Sequence, residues 1–203
     1  MKPMIWYASY GSNLLAARFQ CYIEGGTPPS SNISNPGARG RTPPTESRPV
    51  TMRYELYFAG YSSWWKGASA FIREGSTDAA TLGRMYLITD DQFNDVVCQE
   101  NGRLPDGTRI VPPFSDLSTA GELLLEDNPL YGRLVRIGEE EGWPILTFTT
   151  AQSLVIGPPS EAYVKVIAAG LRETYPSMSA EIGAYLSRCP GIRGSGIPID
   201  DWL

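Results

Sequence analysis

The chain has 203 residues, 42% of them hydrophobic, with 5 Trp, 11 Tyr and 6 Phe and a formal net charge of -5. That is enough apolar material to bury a core, and the acidic balance argues against nucleic acid, whose recognition rests on a basic surface. There is no histidine, which removes Ser-His-Asp and Cys-His catalysis, histidine zinc sites and any imidazole acid or base.

Proton transfer would therefore fall to Asp or Glu, with Lys, Tyr or Cys as lesser options. Cys21, Cys98 and Cys189 are odd in number, far apart and without a Cys-x-x-Cys pair. They fit the reduced thiols of a cytosolic protein. No run approaches a membrane span, and Met1-Lys2-Pro3-Met4 leads into a strand instead of a signal peptide. The expectation is a cytoplasmic protein with neither membrane nor nucleic acid as partner.

In chain order, Trp6-Tyr7-Ala8-Ser9-Tyr10 is a short aromatic run that reads as a buried strand. It breaks at Gly11-Ser12-Asn13. Leu14 to Arg18 then favour a helix to about Ile23, with Ser12 or Asn13 as cap and Gly25-Gly26 as its close. A strand turning through glycine into a helix points backbone N–H groups outward, a site suited to a carboxylate or a phosphate. A tight connection with no ligand is the other reading of the same residues. Thr27 to Pro49 is dense in Pro, Ser, Gly and Asn and carries Arg39, Arg41 and Arg48; it is expected to be an ordered surface arm, or else a lid over the site.

Alternation predicts a strand from Val50 to Tyr61, another over Ala68 to Ile72, and a buried one over Thr81 to Thr89. Trp64-Trp65 would line a pocket or, more ordinarily, pack at core and rim. Ser115 to Asp127 is ambiguous. Tyr131 to Ile137 and Trp143 to Thr150 predict a hairpin around the acidic tip Gly138 to Gly142, a solvated turn. Ser160 caps a helix, Glu161 to Thr174, on which Tyr163, Val166, Ile167, Gly170 and Leu171 recur at helical spacing. A last helix runs from about Ser179 to Arg188. With no repeat and no linker, the expectation is a single α+β domain over residues 1–203, with a closed or strongly curved sheet.

One carboxylate falls in an unusual place. Thr89-Asp90-Asp91-Gln92 is a capping-box pattern that starts a helix, and Asn101-Gly102 ends it. Phe93, Val96 and Val97 share a face, and Glu100 continues that stripe, while Asp90, Asp91, Asp95 and Gln99 are expected to stay wet. An acid turned inward at the carbonyl end of a helix would be pushed towards the range useful to a base. Alternatively, Glu100 reaches past the core to solvent or to an arginine.

Tyr10-Gly11-Ser12-Asn13-Leu14, the mid-chain Gln99-Glu100 and Pro158-Pro159-Ser160-Glu161-Ala162-Tyr163 resemble, in order and spacing, the γ-glutamylcyclotransferase family, over roughly Ile5 to Leu171. The resemblance implies an α+β fold, a small mixed β-barrel flanked by helices. It also implies a loop whose backbone holds a γ-glutamyl moiety, one glutamate as acid/base, and neither metal nor cofactor. By motif, substrate binding falls on Tyr10, Gly11, Ser12, Asn13 and Leu14, with Tyr163 matching a further tyrosine; the catalytic role falls on Glu100. The implied partner is a small-molecule γ-glutamyl substrate. Its α-amine attacks its own γ-carbonyl, giving 5-oxoproline and a free amine or amino acid, the work of an acyltransferase or lyase.

Two departures stand out. Eukaryotic members carry extra tyrosines where this chain has Arg103-Leu104-Pro105-Asp106-Gly107 and Gln152-Ser153-Leu154-Val155. The Thr27 to Pro49 insertion and Cys21-Tyr22-Ile23-Glu24-Gly25-Gly26 resemble a bacterial subgroup sometimes labelled histone deacetylase. A zinc deacetylase of the usual kind needs histidine ligands and a histidine base, so that label fails on chemical grounds. Three readings remain: a cyclising enzyme with Glu100 as base, a non-catalytic small-carboxylate-binding module on the same fold, and an interaction protein using Trp64-Trp65 and the long arm.

Overall fold

The structure, a computed structural model, describes residues 3–29, 31–76, 78–112 and 121–199. Part of the ambiguous stretch after Ser115 lies outside them; its described end carries a short strand, Glu122–Leu124. The chain forms two compact units from interleaved segments. One takes the chain up to Ala8, Ala16–Arg48 and Met85–Gln152; the other takes Ser9–Leu15, Pro49–Arg84 and Ser153 onward.

The strands are β1 (Met4–Ser9), β2 (Glu46–Met52), β3 (Glu55–Ser62), β4 (Gly67–Arg73), β5 (Thr81–Thr89), β6 (Glu122–Leu124), β7 (Arg133–Glu140) and β8 (Trp143–Thr149). Six of them form one sheet in the order β2-β5-β1-β8-β7-β6. β1 pairs in parallel with β8, Trp6 opposite Ile145 and Tyr7 opposite Leu146. Ile5, Trp6, Tyr7 and Ala8 are all buried, which is why β1 reads as an unbroken apolar run and does not alternate. The β7–β8 hairpin closes at Glu141-Gly142, both at positive φ (53° and 78°), the tight turn that matches the strands' twist. Its acidic tip is not simply solvated: Arg48 bonds Glu140 at 2.9 Å and Glu141 at 2.7 Å and lies over the Trp6 ring.

Two expectations about the strands need correction. The run from Val50 to Tyr61 is two strands, because β2 joins β5 at the edge of the large sheet while β3 pairs with β4. Pro49, which has no N–H to give, sits on that edge strand. Secondly, the sheet is not a closed barrel. β2 and β6 are its ends, and β3–β4 is a sheet of its own. The hairpin's edges are satisfied elsewhere: Phe58 N–H donates to Pro190 O, Gly60 N–H to Val155 O, Ala68 N–H to Pro158 O and Ala70 N–H to the Tyr163 hydroxyl. These bonds cap part of both hairpin edges.

The helices are α1 (Ala16–Glu24), α2 (Asp90–Glu100), α3 (Glu161–Thr174) and α4 (Ile182–Ser187). α2 follows β5 without a break, and Thr89 and Gln92 form the expected capping box. It ends as the sequence predicts, with Gly102 at φ 68°, Gly102 N–H on Gln99 O and Arg103 N–H on Cys98 O. Ser160 caps α3 through Tyr163 N–H. The last helix is shorter than expected, a 3-10 turn over Pro176–Met178 preceding it.

In the first unit, Tyr7 stacks on Phe148 and Phe19 on Tyr86, and Phe93, Val96 and Val97 of α2 complete the core. The insertion packs as an ordered arm against the same helices. Ala38 N–H bonds Ile23 O, Gly26 and Asn35 pair, and Gln92 Nε2 reaches Gly40 O and Thr42 O at 2.8 Å. Arg39 meets Asp95 with its guanidinium and its backbone N–H, at 2.9 Å each. The expectation that Asp90 and Asp95 stay wet is therefore wrong. Asp95's side chain is 1% exposed and Asp90 is buried against Arg109, because each acid is met by an arginine from a distant segment.

Candidate functional site

The predicted substrate loop lies in the second unit. Tyr10, Asn13 and Leu14 are buried, while Gly11 and Ser12 are partly open. After the glycine the chain makes one 3-10 turn, Ser12–Leu14, and α1 begins only at Ala16. Leu14 N–H bonds Gly11 O and Leu15 N–H bonds Ser12 O, so these amides close the turn itself. The cap is Gly11 and no side chain caps it, in place of the Ser12 or Asn13 cap expected. Gly170 of α3 lies so close that a Cβ there would be 2.4 Å from Leu14 C and Leu15 N. That contact fixes the turn against the helix.

Tyr163 is brought to this loop. It is buried on α3, its ring packs against Trp65 at 4.5 Å and edge-on to Phe58, and its hydroxyl accepts Ala70 N–H. A Cβ on Gly11 would stand 3.2 Å from that hydroxyl. Of the paired tryptophans, Trp65 thus packs on Tyr163, while Trp64 is 37% exposed.

Glu100 lies in the first unit, on the last turn of α2 and half-buried. It neither escapes to solvent nor continues the fully buried stripe. One group it engages is Tyr22 of α1, which is buried. Burial first, then the Glu100 charge and the hydrogen bond between the two side chains, hold the Tyr22 phenol well above its ordinary pKa. Arg18, a buried cation one turn earlier on α1, acts in the opposite direction. Gln99 Nε2 donates to Tyr22 O at 2.9 Å. Tyr22 escaped the sequence reading because Phe19, Tyr22 and Ile23 recur at helical spacing, the pattern of any core face.

The thiols are poor nucleophile candidates. Burial raises Cys21 and Cys98 and pushes Cys189 up to about 12, which disfavours the thiolate. No helix among the described residues is long and apolar enough to cross a membrane.

The fold is that of the γ-glutamyl cyclotransferases, an α+β class with a large mixed sheet and flanking helices. Two solved structures, a human protein described as uncharacterized and one described as a gamma-glutamyl cyclotransferase, superpose with a TM-score of 0.55 at 17% identity over 98% of this chain. The match takes in 98% and 96% of those chains. YkqA from Bacillus subtilis superposes with a TM-score of 0.52 at 18% identity, over 93% of this chain and 56% of its own. At these identities the likeness is one of fold. Histone deacetylase 5 of Arabidopsis thaliana is 35% identical over 209 residues, taking in 92% of this chain, and the chain spans 31% of that protein's length. No family model matches the chain.

Proposed function

We propose that the protein is a γ-glutamylcyclotransferase-like enzyme that cyclises a γ-glutamyl amine or amino acid to 5-oxoproline and releases the amine. In this reading Glu100 takes a proton from the substrate's α-amine as it attacks the γ-carbonyl. It then returns a proton to the leaving nitrogen. Tyr10 to Leu14 and Tyr163 bind the γ-glutamyl part and hold it folded for attack. The reaction so written needs no metal and no redox group. The observation that supports it most is the half-buried Glu100 carboxylate at the end of α2, engaged by the hydroxyl of a buried tyrosine. The fold and the three motifs support it as well.

The alternative, a small-carboxylate-binding module without turnover, draws on the places where extra tyrosines are missing, Arg103 to Gly107 and Gln152 to Val155. Incubation with a panel of γ-glutamyl amines, with 5-oxoproline read by mass spectrometry, separates the two. Product formed by the wild type and lost in Glu100→Gln supports the enzyme. Ligand binding without product in either supports the module.

A further inference from the structure

We infer that Tyr22 is a positioning residue for Glu100, aiming its carboxylate and keeping it ready to accept a proton. The inference rests on the reading of Glu100 as acid/base. Its basis is geometric. The last turn of α2 grips Tyr22 at both ends: Gln99 Nε2 holds its carbonyl oxygen at 2.9 Å, and the adjacent Glu100 engages its hydroxyl. The carbonyl end of α1 is itself fixed by the arm, through Ala38 N–H on Ile23 O. The buried ring has little freedom to swing, so the direction of its O–H is set by the fold and not by solvent.

The charged and titratable groups that act on the Tyr22 hydroxyl are Glu100 from α2, Arg18 from α1 and Tyr7 from β1, and of these Glu100 is hydrogen-bonded to it. With its phenol held above its ordinary range, Tyr22 stays protonated at neutral pH and can only donate to the carboxylate. A donor to a carboxylate favours its ionised form, the form a base needs. Phenylalanine keeps the packing and removes only the donor.

The test compares wild type, Tyr22→Phe and Glu100→Gln on the γ-glutamyl amine that the panel identifies. It reads kcat, KM, the pH profile and a carbon-13 titration of the glutamate carboxyls. In Tyr22→Phe, kcat falls about tenfold with KM within about twofold. The acid limb of kcat/KM and the Glu100 titration both move up by about one pH unit, as expected when one charge-assisted hydrogen bond is lost. Should Tyr22→Phe fail to fold, tyrosine carbon-13 titration of Glu100→Gln reads the same coupling from the other side, with the Tyr22 phenol moving down. An inactive Glu100→Gln together with unchanged kinetics and titrations in Tyr22→Phe overturns this inference alone. A fully active Glu100→Gln overturns the catalytic reading, and this inference with it.

Discussion

The hydroxyl of Tyr163 lies against the α-carbon of Gly11, so that a methyl group there would stand 3.2 Å from it. Gly11 has φ -106°, outside the left-handed region, and the group an added methyl would meet is the Tyr163 hydroxyl. The hydroxyl is held by Ala70 N–H and cannot retreat freely. Gly11→Ala is expected to cost about 1 kcal/mol and to weaken binding of γ-glutamyl amines. Because Tyr163→Phe also leaves the Ala70 N–H without its acceptor, the clash is read from a double-mutant cycle by calorimetry, in which Gly11→Ala should cost less in the Tyr163→Phe background than in the wild type.

Gly170 is a second contact in which space outweighs propensity. Alanine would improve an exposed helix position by about 1 kcal/mol. Here its Cβ would meet backbone atoms of Leu14 and Leu15 at 2.4 Å, and backbone cannot swing aside. Gly170→Ala should destabilise by about 3 kcal/mol, a fall of about 10 °C in melting temperature. Gly157, whose added Cβ would meet nothing within 4 Å, is the control. Its alanine variant should melt within about 2 °C of wild type.

The arm is bolted on by Arg39 and Asp95. Asp95's side chain is 1% exposed while Arg39's is 42% exposed, so solvent weakens the pair from one side only. Arg39→Met leaves a buried carboxylate without its guanidinium and should cost about 1–3 kcal/mol in urea unfolding. Asp95→Asn, which removes the charge along with the partner's need for it, should cost less. The reverse order would mean that the charge of Asp95 does not need Arg39.

Cys189 carries a pH signature. Burial raises its thiol from 9.0 to about 12 in the folded protein. Between those values the unfolded chain has lost the proton that the folded one keeps, so stability falls as pH rises. The contribution is whole below pH 9 and declines by about 1.4 kcal/mol per pH unit from there towards 12. Tyr22 and Tyr185, also raised, add to the loss at higher pH. Cys189→Ala should flatten the decline in urea-measured stability between pH 9 and 10, where the tyrosines contribute least. An unchanged slope would show that this thiol titrates normally.

What the sequence made legible was local. The Thr89–Gln92 capping box, the stop at Gly102, the Ser160 cap and the bounds of β5 and α3 follow from neighbours within a few residues. The break between β2 and β3 was hidden, because Val50, Met52, Tyr54, Leu56 and Phe58 alternate straight through it. Burial of Asp95 depends on an arginine 56 residues away, which no helical period reveals. Sheet closure failed for the same reason: the partners that satisfy the β3–β4 edges lie at Val155, Pro158, Tyr163 and Pro190. At the candidate site, motif spacing singled out Glu100, but the tyrosine that engages it looked like any core residue.

The most direct measurement is 5-oxoproline formation from γ-glutamyl amines by wild type and Glu100→Gln, with ligand binding and melting temperature followed on the same samples. The expected result is product from the wild type and a loss of at least about 100-fold in the variant, with binding and stability kept. Equal product from both proteins would contradict Glu100 as the proton carrier.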